Sequence, residues 1–92
     1  MIGTFRHKGL KLLFETGSYR GVPAHMVDRI IRRLDVLEAA AAIRDLDQPG
    51  FGLHELMGAR RGTWSVRVTG NWRITFTFRD GDAFDVDLED YH

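Results

Sequence analysis

Two arginines and a polar C-terminus supply the side chains of this sequence that could do chemistry. Arg67 and Arg73 flank the break Thr69-Gly70-Asn71, and the chain ends with Glu89-Asp90-Tyr91-His92. Guanidinium groups bind phosphate in a bidentate manner, and a carboxylate, a phenol and an imidazole are groups that transfer protons. If the fold brings the two sets together, they form a site that could bind a phosphate and move protons beside it.

The two arginines belong to a stretch, residues 62–78, in which apolar and polar residues alternate. Alternation of this length is typical of two half-buried strands joined by a turn. A three-residue loop over 69–71 keeps the apolar residues of both strands on one face, whereas a two-residue loop places Val68 opposite Arg73. We therefore predict the three-residue loop. The pairs on the apolar face are then Trp64 with Phe76, Val66 with Ile74 and Val68 with Trp72.

The same register places Arg67 directly across from Arg73 on the polar face. Like charges in this position destabilise a strand pair by a fraction of ~1 kcal/mol. Two interpretations stay open at this point. The pair forms an anion-binding site, or the two side chains are solvated and splay apart.

A second turn, Asp80-Gly81-Asp82, predicts a third strand beside the second. A three-residue loop there sets Phe78 opposite Phe84 and Arg73 opposite Glu89. The polar face would then carry a row of Arg67, Arg73 and Glu89. Tyr91 has the same parity as Glu89 if the strand continues, which aims it at the same face.

The N-terminal half predicts a short strand and two helices. Met1 to Phe5 is compatible with a strand, and residues 7–15 show helical spacing that ends at Gly17. From Pro23 onward, apolar residues recur at helical spacing for about five turns, with residues 39–42 extending the helix. The predicted apolar positions of this second helix are Val27, Ile30, Ile31, Leu34, Leu37 and Ala41.

The arginines of the second helix, Arg29, Arg32 and Arg33, are predicted to lie mostly on its outer, solvated side. Residues 51–56 predict a further strand. The order β-α-α-β-β-β indicates an α+β fold, with two N-terminal helices packed on one face of a mainly antiparallel sheet.

Composition excludes several classes of protein. Ninety-two residues make one domain. The absence of cysteine excludes disulfides and thiolate metal sites and fits a reducing cytoplasm. No apolar run approaches the ~20 residues of a membrane span. The net charge is zero, which argues against indiscriminate coating of nucleic acid. Charge is nevertheless unevenly distributed, because residues 59–79 hold five arginines and no acidic residue, while residues 80–92 hold six acidic residues and no basic one.

The sequence resembles the HigB-type toxins, the plasmid maintenance killer branch of the RelE/ParE superfamily. The resemblance spans nearly the whole chain and is carried by FRHKGLKLLFETG at 5–17, GVPA at 21–24, VDRI at 27–30, GTWSVRV at 62–68, NWRITF at 71–76, GDA at 81–83 and EDYH at 89–92. It implies a helix-pair-on-sheet fold and a ribosome-dependent messenger-RNA endonuclease that needs no metal ion or other cofactor. It also implies a cognate HigA-type antitoxin, mRNA in the A site of the 70S ribosome, and a cytoplasmic location without a membrane.

Five catalytic positions carry over from the resemblance. The arginine of NWRI falls on Arg73, the arginine of WSxRV falls on Arg67, and the terminal Asp-Tyr-His falls on Asp90, Tyr91 and His92. Either Asp90 or His92 would serve as base or acid, and a base of the RNA could stack on Tyr91.

Four further residues are predicted to contact RNA: His54, Met57, Arg60 and Arg61. Met57 departs from the resemblance, since close relatives carry a lysine between the leucine and glycine of residues 56–58. Methionine cannot donate to a phosphate, so Arg60 or Arg61 would take over this contact, or activity would be weaker.

Three alternatives remain. The chain could be a ParE-like toxin that binds DNA gyrase and cuts no RNA, or an attenuated toxin. Asp85 and Asp87 could instead hold a metal ion, but carboxylates without histidine nearby are more often solvated or paired with arginine.

Overall fold

The computed structural model describes residues 1–91 of the chain. This part contains two α-helices, α1 (Lys8–Thr16) and α2 (Val27–Ala39), and a four-stranded antiparallel sheet. The strands are β1 (His54–Glu55), β2 (Thr63–Thr69), β3 (Trp72–Arg79) and β4 (Asp82–Asp90), and they lie in the order β1-β2-β3-β4. The predicted α+β class with helices preceding an antiparallel sheet is confirmed. No helix in residues 1–91 is long and apolar enough to cross a membrane.

The core lies between the helices and one face of the sheet. Leu10, Met26, Ile30, Phe51 and Ile74 are fully buried there. Burial of aliphatic and aromatic surface is the main favourable term in folding, so the alternation along β2 and β3 is what fixes these strands against the helices. Ile31, which we placed on the apolar face of α2, is exposed instead.

The hairpin of β2 and β3 has the predicted central register. Trp64 pairs with Phe76, Val66 with Ile74, and Arg67 with Arg73. The predicted three-residue loop is wrong, because Thr69 pairs with Trp72 and only Gly70 and Asn71 form the turn. Val68 is an extra residue in β2, and this β-bulge absorbs the one-residue slip that a two-residue loop otherwise causes.

The hairpin of β3 and β4 also combines a two-residue turn with a β-bulge. Its loop is Asp80-Gly81, with both residues at positive φ, as a tight two-residue turn requires. Arg73 pairs with Glu89 as predicted, but Phe78 lies opposite Ala83, so the predicted pairing of Phe78 with Phe84 is wrong. A register shift follows, and Asp85 adopts a left-handed conformation (φ 54°) at this bulge.

The N-terminal segment runs parallel to β4 and forms isolated bridges, from Ile2 to Ala83 and from Phe5 to Val86. It is therefore less regular than the strand that we predicted. α1 follows directly, and His7 caps it by accepting a hydrogen bond from the Leu10 amide at its Nδ1 (3.1 Å). Gly17 ends the helix in a left-handed conformation (φ 79°), as the sequence predicts.

α2 is shorter than predicted. A 3₁₀ turn, Ala24–Met26, precedes it, and the helix ends at Ala39 because Ala40 is extended. The predicted extension over residues 39–42 is wrong. Asp45 explains the stop, since its carboxylate accepts hydrogen bonds from the Ala41 and Ala42 amides (2.9 and 3.0 Å) and begins the 3₁₀ helix Ile43–Leu46 instead.

Arg33 of α2 is buried, with 7% of its surface exposed, which contradicts its predicted outer position. Its Nε donates to the Arg67 carbonyl (2.7 Å) and its guanidinium stacks on the Phe51 ring (4.5 Å to the ring centre). β1 covers only the first part of β2, so the later carbonyls of β2 need another donor. Arg33 supplies it from the helix.

Replacement of Arg33 by leucine should therefore destabilise the protein, although leucine is a good residue for a buried helix position. It leaves a buried strand carbonyl without its donor, and we expect the free energy of unfolding to fall by about 2–3 kcal/mol. The matched control, Arg32→Leu, changes an exposed neighbour and should stay within about 0.5 kcal/mol of the unmodified chain. Urea denaturation followed by circular dichroism measures both, and equal effects would contradict the role given to Arg33.

Candidate active site

The Arg73 guanidinium is held in place on the sheet face that the helices leave open. Its Nε donates to Ser65 Oγ (2.8 Å), and its Nη2 donates to the Gly52 carbonyl (2.6 Å). The same Nη2 lies 3.1 Å from His54 Nδ1. These contacts fix the plane of the guanidinium, while Nη1 makes no hydrogen bond within residues 1–91. A fixed guanidinium with one free nitrogen is preorganised to bind an anion.

The contacts of His54 Nδ1 depend on the tautomer of the His54 ring. A guanidinium only donates hydrogen bonds, so a hydrogen bond from Arg73 needs His54 Nδ1 as its acceptor, the tautomer with the proton on Nε2. In the other tautomer Nδ1 donates to the Gly52 carbonyl, which lies 3.3 Å away. Sequence analysis predicted that His54 contacts RNA, and the structure places it beside Arg73.

A short loop before β1 brings Gly52 to Arg73. Gly52 has a left-handed conformation (φ 54°) that side chains rarely adopt. The preceding residue, Phe51, accepts a hydrogen bond at its carbonyl from the Arg67 amide. The loop is thus tied to β2 one residue before it reaches Arg73.

Arg67 lies directly across the strand pair from Arg73, with its side chain exposed. Its guanidinium makes no hydrogen bond or ion pair with any residue in the range 1–91. The pKa of Arg73 is lowered, first by burial and then by the positive charge of Arg67, while Tyr91 acts in the opposite direction. Both arginines stay cationic at neutral pH, and an anion between them would relieve their repulsion.

The end of β4 approaches the same place. Asp90 pairs with Trp72, and the Tyr91 amide donates to the Asn71 carbonyl (2.7 Å). The exposed Tyr91 side chain is near enough to act electrostatically on Arg73 and Arg60. His92 lies outside the described residues.

Glu89 contacts Arg60 and Thr75 rather than Arg73. Both terminal nitrogens of Arg60 donate to the carboxylate (2.9 and 2.6 Å), and Thr75 Oγ1 donates to it at 2.5 Å. The hydrogen bond from Arg60 is the main cause that lowers the pKa of Glu89, while burial acts against it. Arg60, predicted to contact RNA, therefore already has a carboxylate partner.

The other predicted contacts lie on the rim. Met57 is 78% exposed, and Arg61 is exposed at the end of the 3₁₀ turn Gly58–Arg60. Within residues 1–91 no group of three histidine, aspartate or glutamate side chains could hold a metal ion. Asp85, which could share a metal site with Asp87 if both side chains lay on one face, sits at the β4 bulge, where the regular alternation of the strand is interrupted.

Two groups that fix Arg73, the Ser65 hydroxyl and the Gly52 carbonyl, were not among the predicted site residues. Ser65 has the same parity as Arg67 in β2, so its position on the open face was available from the alternation. The carbonyl of Gly52 carries no signal in the sequence, because any residue has a carbonyl and only the tertiary fold aims it.

These observations define a small α+β protein whose open sheet face carries two arginines directly opposite each other. Comparison with known proteins is more specific about the class of protein. The model of the HigB-like toxin family, described as RelE-like toxins of type II toxin–antitoxin systems, matches residues 3–92. The chain belongs to this family.

Two relatives illustrate the relationship. Endoribonuclease HigB of Proteus vulgaris is 53% identical over 92 residues, which are all of both chains. Toxin HigB-1 of Vibrio cholerae serotype O1 is 32% identical over 87 residues, 92% of each chain. The likeness covers the whole domain and both arginine-bearing strands. A toxin of this type has an antitoxin as its partner.

The contact between Glu89 and Arg60 predicts how stability depends on pH. We expect Glu89→Gln to lower the free energy of unfolding by about 1 kcal/mol at pH 7, a value reduced for the partial exposure of Arg60. Because the folded state lowers the pKa of Glu89, this stabilisation is present above the ordinary glutamate pKa of about 4.3 and is lost as the pH falls through the lowered value.

Urea denaturation of both chains from pH 7 to about pH 3 tests this linkage. The difference between them should shrink toward the acid end. Glu15→Gln, an exposed substitution at the end of α1, is the control and should show no such trend. A difference of the same size at every pH would contradict the assignment.

Proposed function

We propose that this chain is a toxin that cuts messenger RNA, with Arg73 and Arg67 binding the scissile phosphate. The observation that carries the proposal is the fixed guanidinium of Arg73 facing an exposed second arginine. The name of the Proteus vulgaris relative, an endoribonuclease of the same length, supports it.

The proposed reaction uses the RNA itself as nucleophile and needs no metal ion. The 2′-oxygen loses its proton and attacks the adjacent phosphorus, and the bond from phosphorus to the 5′-oxygen breaks. A 2′,3′-cyclic phosphate remains on one fragment, and the departing 5′-oxygen takes up a proton. An enzyme must accept the first proton, stabilise charge on the phosphoryl oxygens and donate the second proton.

Each step has a candidate residue in this chain. Arg73 and Arg67 would stabilise the phosphoryl oxygens, because two guanidinium groups face the same space. In the tautomer that accepts a hydrogen bond from Arg73, His54 carries a proton on Nε2 and can donate it to an oxygen of the RNA. We assign proton transfer to the terminal group Asp90, Tyr91 and His92, without dividing the roles of acid and base among them. Tyr91 can also stack on an unpaired base.

The biological setting follows from the family. We propose that the substrate is mRNA in the A site of the 70S ribosome and that the toxin works in the cytoplasm. The antitoxin that neutralises it would be of the HigA type. Single-stranded RNA with unstacked bases suits an open, shallow site such as this sheet face.

The test is primer-extension mapping of cellular messages after brief expression of the toxin. In-frame cuts that disappear when translation is blocked are the expected result. Arg73→Ala should reduce cutting by about 10²-fold or more, since it removes a preorganised charge from the phosphate. Arg73→Lys keeps the charge but loses the fork of donors, and it should recover only part of the activity.

Two outcomes would overturn the proposal. Cutting by Arg73→Ala at the unmodified rate would remove Arg73 from the site. Inhibition of gyrase supercoiling without RNA cleavage would show a binding toxin instead of a nuclease. A sulfur substitution at a non-bridging oxygen of the scissile phosphate should slow cutting on purified ribosomes equally in Mg²⁺ and in Mn²⁺, and recovery in Mn²⁺ would refute the metal-free reaction alone.

A further inference from the structure

A basic cleft lies beside the open sheet face that carries Arg67 and Arg73. It is bordered by α2 and by the edge of β2 that β1 leaves unpaired. It has a volume of about 550 Å³, within the range of ligand pockets. Four arginines line it, together with one acidic side chain: Arg29, Arg32, Arg33, Arg67 and Asp28. Four positive charges against one negative charge make the cleft strongly basic, although the whole chain is neutral.

Two of these arginines donate hydrogen bonds to carbonyls of β2 and so stabilise the fold. Arg33 is buried and donates to the Arg67 carbonyl, as described above. Arg29 Nη1 donates to the Val68 carbonyl at 3.3 Å. Both cover the part of the β2 edge that β1 leaves unpaired, and both residues also line the cleft.

The other two arginines, Arg32 and Arg67, do not have this structural role. Within the described range 1–91, the guanidinium groups of Arg32 and Arg67 make no hydrogen bond or ion pair. Arg32 only lies over the Phe51 ring at 5.8 Å. The pKa of Arg33 is lowered first by its burial and then by the positive charges of Arg32 and Arg29. The fold therefore bears a repulsion that a bound anion would remove.

Arg67 lies where this cleft meets the open sheet face. It faces Arg73 across the strand pair and also lines the cleft. Gly52 lies between the two arginines, where a Cβ atom would stand 3.8 Å from both Arg67 Cβ and Arg73 Nη2. A polyanion whose charges repeat along a strand could thus keep contact with arginines from Arg73 through Arg67 to Arg32.

We propose that the cleft is a second phosphate subsite for the RNA strand, occupied by the backbone next to the nucleotides in the active site. This inference rests on the proposed nuclease function and extends it. Arg32 binds this phosphate and Arg29 contributes from the edge of β2, while Arg67 stays with the scissile phosphate between the cleft and Arg73. The continuity with the scissile phosphate favours an RNA strand as the occupant over an acidic segment of a protein.

The subsite is tested by binding, separately from cleavage. The probe is a fluorescent 12-nucleotide RNA with 2′-O-methyl groups, which cannot be cut, and a trinucleotide of the same chemistry serves as the short probe. Fluorescence anisotropy is recorded over a salt series for the full chain, for Arg29→Gln/Arg32→Gln, and for the charge-matched control Arg20→Gln/Arg44→Gln. The two control arginines are exposed and do not line the cleft.

We expect the cleft variant to bind the 12-nucleotide RNA several-fold more weakly. The slope of log affinity against log salt concentration should decrease by about 1.4, the value for two lost contacts to a single strand. The trinucleotide should bind equally to all three proteins, because it does not reach from Arg73 into the cleft.

Three results would overturn the subsite. They are an unchanged salt slope, an equal loss in the control variant, or an equal loss with the trinucleotide. If the cleft variant binds RNA normally but loses binding to the antitoxin, the occupant is an acidic protein segment. Failure of the nuclease proposal would appear instead in the primer-extension experiment, with binding of the 12-nucleotide RNA unaffected.

Discussion

Burial of one face of the β2–β3 hairpin fixes the position of almost everything else that matters for function. Val66 and Ile74 face each other in the core, and this forces Arg67 and Arg73 to face each other on the open side. Successive side chains of a strand point to opposite faces, so the apolar pair and the charged pair cannot be separated. The cost of placing two cations together is therefore imposed by the same register that makes the core.

The edge of β2 imposes the second constraint. β1 is only two residues long, so the strand carbonyls that follow it need donors from elsewhere. Arg33 and Arg29 of α2 donate to these carbonyls, and they place positive charge beside the open sheet face. A sheet edge that lacks a neighbouring strand is thus closed by side chains that also attract anions. This structural need accounts for two of the four arginines that line the cleft.

The two bulges show why strict alternation misleads at the ends of strands. Each hairpin uses a two-residue turn and corrects its register with one extra residue, Val68 in β2 and a residue at Asp85–Val86 in β4. A register predicted from alternation assumes that every strand residue has a partner on the neighbouring strand. The extra unpaired residue is therefore assigned to the turn, and the predicted turn is one residue too long. The error stays local, because the core pairs on the other side of each bulge keep their register.

The sequence by itself determined the α+β class, the central register of both hairpins and the opposition of Arg67 and Arg73. These features depend on periods of two and about 3.6 residues, which are local and visible in the order of residues. The tertiary structure alone decided that Arg33 is buried, that Glu89 binds Arg60, and that the Gly52 carbonyl holds Arg73. Those contacts join segments far apart in the chain, and several involve backbone atoms that every residue possesses, so no pattern of residue types could specify them.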